Sequence, residues 1–574
     1  MSIADVRPIS RDELNAGVEA VLAAGAPFEV MPMTVRGVDY PRVFALSNVS
    51  LREVLALKTQ EHQDKPFIVY GDMRLTTGEV WARSMRFANW LKARGIGQGD
   101  RVAIAMRNYP EWAFAYLGII ASGAAVVPLN AWWQADELHY GVEASEVKLV
   151  VCDAKRAEML APCKEKFGLT FIAGREDVPH QDEHMHQILA DDSISMQMPT
   201  DPIDPDSDYC LLFTSGSTGR PKGAMLTHRG VVSAILSWSF LLTVLEHLRP
   251  EVQLTPDKPG TMLCVPLFHV TGLHSLFLLS YLSGRKLVMI DRWDPKAAAK
   301  IAREEKLTNF VGVPTMAYDL VKAAEPGDLA TMRDIGTGGS KRPEAQVQLQ
   351  YDLYPDISAS SGYGMTETNA LGTHIALGDY AANISSTGRA IPPVTEIATF
   401  TEDGQRLPDG EVGEICIKSP ANMRGYLANE EATKAVFFDG GWLRTGDLGY
   451  VNEEGYLFIQ DRLKDMIIRG GENISCPEVE NVLHEVQGVD EVAVFGVPHE
   501  TLGEVVGAVV YGSDALELQT LREHAATRLA HFKVPTRIWR SPTMLPRGTT
   551  GKIDKKMIRT IAAEHPPHLQ QGDD

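Results

Sequence analysis

Through the first two-thirds of the chain, short apolar runs alternate with longer stretches whose apolar residues recur every three or four positions. Residues 101–106 (RVAIAM) form a run of strand length, and residues 111–121 carry the helical period behind it. Further strands are predicted at 124–128, 148–152, 209–213, 262–265, 286–290 and 309–313, with helices over 273–282, 295–305 and 315–323. Runs that are apolar without alternation belong to strands buried on both faces, and the intervening helices supply the cover. The expected class is therefore α/β, a large N-terminal domain of doubly wound parallel sheets. Ligands of such sheets sit beyond the carboxyl ends of the strands.

The pattern changes near residue 392. Residues 394–400, 413–418 and 448–460 alternate apolar and polar, with turn sequences at 401–404 and 452–455, which predicts a small antiparallel, β-barrel-like subdomain. After residue 461 come a helix at 478–486, strands at 491–497 and 504–511, a helix at 516–529 and a strand at 536–540. These predict a small, mobile α+β C-terminal domain. The organisation expected is an extension over 1–48, a large domain over 49–461 and the small domain over 462–574. About the first ten residues and the tail from His565 (HPPHLQQGDD) are expected to be disordered.

Composition narrows the partners. Of 574 residues, 44% are hydrophobic and 23% charged, the balance of a packed globular protein. Fifty-five Lys and Arg against 75 Asp and Glu leave a net charge of −20, which argues against nucleic acid or anionic lipid as the main partner. A polyanionic substrate would then need cations placed locally. Six scattered cysteines form no disulfide framework and no zinc spacing. The N-terminus lacks the apolar core of a secretory leader. Residues 112–132 are broken by Gly118, Gly123 and Pro128, and residues 230–245 by Ser233, Ser237, Ser239 and Thr243, so neither reads as a membrane span. A cytoplasmic protein is expected.

Residues 214–223 (TSGSTGRPKG) directly follow the apolar run YCLLF. Glycines let backbone N–H groups close around an anion, hydroxyls add donors, and Arg220 and Lys222 supply charge, a composition suited to polyphosphate. It is not a Walker loop, because Gly223 stands where that loop needs Ser or Thr for Mg²⁺, and Pro221 disrupts a helix starting there. There is no GxSxG elbow in it, so a serine-hydrolase reading fails on the motif.

This segment resembles the phosphate loop of the adenylate-forming superfamily: acyl- and aryl-CoA synthetases, luciferases and the adenylation domains of peptide synthetases. The resemblance recurs in order down the chain. Residues 363–367 (YGMTE) resemble the family's aromatic-Gly-x-Thr-Glu element, 445–447 (TGD) its ribose motif, 461–465 (DRLKD) its hinge and 546–552 (PRGTTGK) its C-terminal lysine loop. Five motifs in order, spanning roughly 50–560, are specific to that superfamily, whereas residues 1–48 carry none.

The resemblance implies a role for each matched residue. Thr214, Ser215, Gly216, Ser217, Thr218, Gly219 and Lys222 would hold the phosphates of ATP. Tyr363, followed by Gly364, would stack on adenine, with Gly338, Gly339 and Ser340 bounding the ring's other side. Thr366 would reach the α-phosphate and Glu367 would hold Mg²⁺ through a hard oxygen. Asp447 would accept the ribose hydroxyls, helped by Arg462. Lys552 would bridge the substrate carboxylate and the α-phosphate, since two anions must be joined and their repulsion neutralised in the transition state.

The chemistry implied has two halves: acid and MgATP give an acyl-adenylate and pyrophosphate, then a thiol displaces AMP. One centre serving two partners implies rotation about a hinge at Lys464, after which Gly470 and Gly471 would leave room for the pantetheine arm of CoA. His269 resembles the histidine that gates thiol access. The acyl pocket would include Thr271, Gly272, Val313, Pro314, Met316, Gly338 and Gly362, mostly small or apolar, which favours an uncharged acyl group over an amino acid. Two departures weaken a hydroxycinnamate assignment: Ile468 stands where some of those ligases have a basic residue, and 339–341 is Gly-Ser-Lys instead of Gly-Ala-Ala. The expected protein is an AMP-forming acyl-CoA ligase, monomeric or homodimeric, using ATP, Mg²⁺ and CoA on a hydrophobic acid, a fatty acid before an aryl acid. An adenylating amide synthetase and a catalytically silent nucleotide- or acyl-binding protein remain the alternatives.

Overall fold

The strand Arg101–Ala105 lies inside an eight-stranded sheet, with Ala125–Pro128 and Leu149–Cys152 paired to it in parallel. In this computed structural model, residues 3, 6–214, 221–252, 254–462, 465–469, 472–499, 501–548 and 552–570 are described, without the side chain of Asn473. A second sheet of nine strands is parallel through its centre, including Gly260–Leu263, Asn309–Gly312, Asp334–Gly338 and Ser358–Tyr363. One continuous core fills the space between the sheets, holding the helices Thr77–Ala93, Pro110–Ser122 and His228–Leu248. Separate apolar clusters cover the outer faces, under Ala135–Ser145 and Ala154–Phe167 on one side and Pro295–Glu304 and Pro314–Ala323 on the other. The result is a layered α/β fold, as the strand–helix rhythm requires.

Burial between two sheets explains the two low-charge stretches. Pro110 opens the helix Pro110–Ser122 and Gly123, at φ +89°, closes it; its side chains are buried almost all round. The helix His228–Leu248 is, by length and composition, apolar enough to cross a membrane, but more than half of that stretch is packed inside the protein. Its hydroxyls turn back on the helix: Ser237 Oγ donates to the Ser233 carbonyl at 2.8 Å and Thr243 Oγ1 to that of Ser239 at 3.1 Å.

Three expectations are corrected. The first ten residues are not loose throughout: Val6 and Ile9 are buried, and the Ile9 N–H donates to Asp379 Oδ1 at 2.7 Å, because two apolar side chains find a groove on the large domain. The tail beyond His565 contributes Leu569–Gln570, which pairs antiparallel with Arg537–Arg540. The antiparallel unit over 396–462 forms an open five-stranded sheet; among the described residues no pairing between Glu396–Phe400 and Leu457–Arg462 closes a barrel. The motif-free N-terminal segment contains, among its described residues, the helix Arg11–Ala23 and the hairpin of Val30–Val35 with Val38–Phe44.

The chain beyond Arg462 builds a six-stranded sheet centred on the long hairpin Val489–His499 and Gly503–Gly512, with Cys476–His484 and Leu518–Arg528 packed on its own apolar core. Asp461 ties the two parts together. One oxygen accepts the N–H of Arg462 and the other that of Cys476, each at 2.7 Å. All six cysteines are free thiols, five of them buried.

Candidate active site

Two parallel strands, Asp334–Gly338 and Ser358–Tyr363, run in register so that Gly338 lies beside Gly362 at their carboxyl ends. The chain beyond the second strand carries Tyr363 and Gly364 into a short helical turn, Thr366–Thr368. A Cβ on Gly364 would stand 2.7 Å from the Ala370 carbonyl, so the turn closes only around glycine. Gly339, at φ +82°, turns the other strand away and, like Ser340, is exposed.

Segments far apart in the chain meet here. Tyr363 Oη donates to Asp447 Oδ2 at 2.7 Å, and Arg462 Nε lies 3.3 Å from Asp447 Oδ1. Asp447 and Arg462 are direct partners across the strands Trp442–Val451 and Leu457–Arg462, which fixes their separation. The Thr445 hydroxyl accepts the Asp447 N–H at 3.1 Å, holding the TGD turn.

The strands Asp208–Thr214 and Lys222–Thr227, which flank the glycine-rich segment in sequence, pair antiparallel with Thr214 facing Lys222. Ser215, Gly216, Ser217, Thr218 and Gly219 lie outside the described residues, as do Lys464, Gly470 and Gly471. From the loop's base, the Lys222 ammonium sits 5.1 Å above the ring of Tyr426, whose hydroxyl donates to Glu367 Oε1 at 2.8 Å. Sequence reasoning missed Tyr426, because a lone aromatic in MRGYL carries no motif. Glu367 is buried and its carboxyl is pushed up by that burial, opposed by the Tyr426 bond and by the charges of Lys222 and Arg462. Its Oε2 accepts no hydrogen bond among the described residues. A buried carboxylate with one oxygen unused is a donor that a hard divalent cation fits.

Lys552 arrives from the C-terminal sheet's side of the molecule. A methyl built on Gly339 would lie 3.4 Å from its Cε and 3.9 Å from its Nζ. Burial and the Arg462 guanidinium lower its ammonium to about 8, against the pull of Asp447. Arg547, on the same loop, donates to Thr315 Oγ1 at 3.3 Å and pairs with Glu491, which anchors the loop across the interface.

Behind this cluster a cavity of about 400 Å³ extends along the nine-stranded sheet beneath His228–Leu248. Thr271, Gly338, Gly339, Gly362, Tyr363 and Gly364 form its inner end. Trp238 narrows it, with Cη2 3.2 Å from a methyl built on Gly362 and its ring edge-on to His374. Four expected pocket residues, Gly272, Val313, Pro314 and Met316, are not among those that line this cavity. Gly272 faces the backbone, where a methyl would stand 2.3 Å from the Pro266 carbonyl. That contact accompanies a π-helical turn, Thr271–Leu278, where a regular helix was expected. Val311 lines the cavity in place of Val313, which lies beyond the strand's end, and Met316, one turn into the helix that Pro314 opens, packs in the cluster on the sheet's outer face. His269 lies just before the lining residues Val270 and Thr271, with its ring 4.7 Å from that of Phe268.

Comparison with known proteins agrees with this arrangement. Residues 55–427 match the family model described as AMP-binding enzyme, and residues 478–552 match the AMP-binding enzyme C-terminal domain. The chain is 33% identical over 495 residues to the long-chain-fatty-acid–CoA ligase FadD13 of Mycobacterium tuberculosis, covering 85% of this chain and 93% of that one. It is 35% identical over 497 residues to a feruloyl-CoA synthase of an Amycolatopsis species, covering 85% and 94%. Among solved structures, ATP-bound MatB from Rhodopseudomonas palustris superposes with a TM-score of 0.78 at 29% identity, covering 89% of this chain and 98% of that one. The five ordered motifs, the meeting of Tyr363, Asp447, Arg462 and Lys552 at one sheet edge and these matches place the chain in the AMP-binding enzyme family of AMP-forming acyl-CoA ligases.

Proposed function

We propose that the protein activates a hydrophobic monocarboxylic acid with MgATP and passes the acyl group to CoA, with fatty acids as its preferred substrates. The observation that carries this reading is Lys552 standing over Gly339 at the inner end of an apolar cavity, beside Tyr363, Asp447 and Arg462. ATP would lie with its adenine on Tyr363 and its ribose on Asp447 and Arg462. Thr214, Lys222 and Thr366 would meet its phosphates, and Glu367 would hold Mg²⁺ through Oε2. When bound, the cation would draw charge from the phosphates.

The acid's carboxylate oxygen attacks the α-phosphorus, the bond to the bridging oxygen breaks, and pyrophosphate leaves. Lys552 lies between the two anions and offsets their repulsion. In the second half the thiol sulfur attacks the acyl carbon, the carbon–oxygen bond to AMP breaks, AMP leaves and the thiol proton passes to solvent. Lys552 serves the first half alone, and the chain between Arg462 and Asp465 is the proposed pivot that withdraws it.

The cavity's length and apolar walls support a fatty acid. The feruloyl-CoA synthase relative keeps an aryl acid as the second reading. The test is pyrophosphate release from ATP across a panel of carboxylic acids, followed by AMP release with CoA or with amines. Release that no acid stimulates would refute the reading, and amine-dependent AMP release would replace it with an amide synthetase.

A further inference from the structure

At the end of the cavity remote from Tyr363, the apolar wall gives way to Arg285 and Asp334. Both stand at the amino-terminal edge of the nine-stranded sheet. Arg285 immediately precedes the strand Lys286–Met289, and Asp334 is the first residue of Asp334–Gly338. That strand spans roughly 13 Å at ~3.3 Å per residue, so the pair lies a long acyl chain's reach from the reacting end.

The Arg285 backbone N–H donates to the Ser280 carbonyl at 2.9 Å, but its guanidinium makes no hydrogen bond or ion pair among the described residues, and Nε is buried without a partner. A guanidinium carries five N–H donors, and buried donors left unmatched are costly, so one facing a cavity is poised for an acceptor. Asp334 accepts the Ser360 hydroxyl at 2.8 Å. Burial lowers Arg285 to about 10 and raises the Asp334 carboxyl to about 6, while the charge of each favours the other's. Their strands stand three steps apart in the sheet order and the two side chains form no ion pair among the described residues, so the far end offers donors and an acceptor that line one cavity without being joined to each other.

We propose that Arg285 and Asp334 recognise a hydroxyl at the remote end of the acyl chain, which makes hydroxylated fatty acids the favoured substrate class. A hydroxyl accepts from the guanidinium and donates to the carboxylate; an alkyl terminus does neither, and a second carboxylate meets the charge of Asp334. This inference rests on the acyl-CoA ligase reading and narrows its substrate.

The test compares unsubstituted, ω-hydroxy and α,ω-dicarboxylic acids of matched length by acid-dependent pyrophosphate release. At the best length the ω-hydroxy acid is expected to exceed the unsubstituted acid in kcat/KM by about 10- to 100-fold. Arg285→Leu should bring that ratio close to one, and Arg285→Lys should keep part of it. A ratio that Arg285→Leu does not change overturns the inference, as does wild-type preference for the unsubstituted acid or the diacid. Should Arg285→Leu fail to fold, the wild-type comparison decides. Activation of plain acids without hydroxyl preference sinks this inference alone, whereas silence with every acid sinks the ligase reading. Calorimetric titration of the same acids into the full chain decides in that second case, equal affinities overturning the hydroxyl site.

Discussion

The Tyr363 hydroxyl donates to Asp447 across 84 residues of sequence at 2.7 Å, and so the aromatic face proposed for adenine is locked to the carboxylate proposed for ribose. Tyr363→Phe keeps the ring and removes that bond. Its KM for ATP is expected to rise less than tenfold, while Asp447→Ala, which removes a charged partner, should raise it about 10- to 100-fold. Steady-state kinetics with ATP varied distinguishes the two.

Lys552 is expected to act on the first half-reaction alone. Lys552→Ala should lower adenylate formation about 100- to 1,000-fold and spare thioester formation from supplied acyl-adenylate. Equal loss in both halves would refute the role. Because burial lowers the ammonium to about 8, it is charged below that pH and loses its proton above it. The kcat/KM for pyrophosphate release should therefore fall as pH rises through about 8, and Lys552→Arg should move the fall to higher pH.

Glu367 has the opposite sign. Burial raises its carboxyl above the ordinary range, so acidification should protonate it early and increase the Mg²⁺ needed for half-maximal activity. The Tyr426 hydrogen bond opposes that rise, so Tyr426→Phe should shift the acid limb to higher pH. Mg²⁺ titrations across pH give the measurement; an unchanged limb in Tyr426→Phe would count against metal binding by Glu367.

Gly362 faces Trp238 where the cavity narrows. Gly362→Val crowds that ring, and long acids should lose about 10- to 100-fold in kcat/KM relative to short ones. Uniform loss at all lengths would show that Gly362 does not guard the passage.

Ile9 is buried although it lies in a segment without a motif. Ile9→Ala should destabilise the fold by about 2 kcal/mol or more, read from chemical denaturation. No change would mean that the N-terminal segment is not docked in solution.

Most of the fold was legible because strand and helix periods are local. The expected strand at 101–106 appears as Arg101–Ala105, that at 413–418 as Gly413–Lys418, and the helix at 295–305 as Pro295–Glu304. The termini misled because polar composition speaks for solvent, while docking depends on a groove that other segments build. Val313 misled for a related reason: the strand ends at Gly312, and the chain turns there into the helix Pro314–Ala323 before Val313 can continue the face that Val311 presents to the cavity.

From its order of residues alone, the chain declared a layered α/β architecture and the five adenylate-forming motifs, since period and motif are carried within a few neighbouring positions. Only the folded molecule decided that Tyr426 joins Lys222 to Glu367, that Lys552 rests over Gly339, and that Arg285 and Asp334 line one cavity with Tyr363. Those relationships join residues from separate strands and sheets, and packing, which no local stretch encodes, sets their distances.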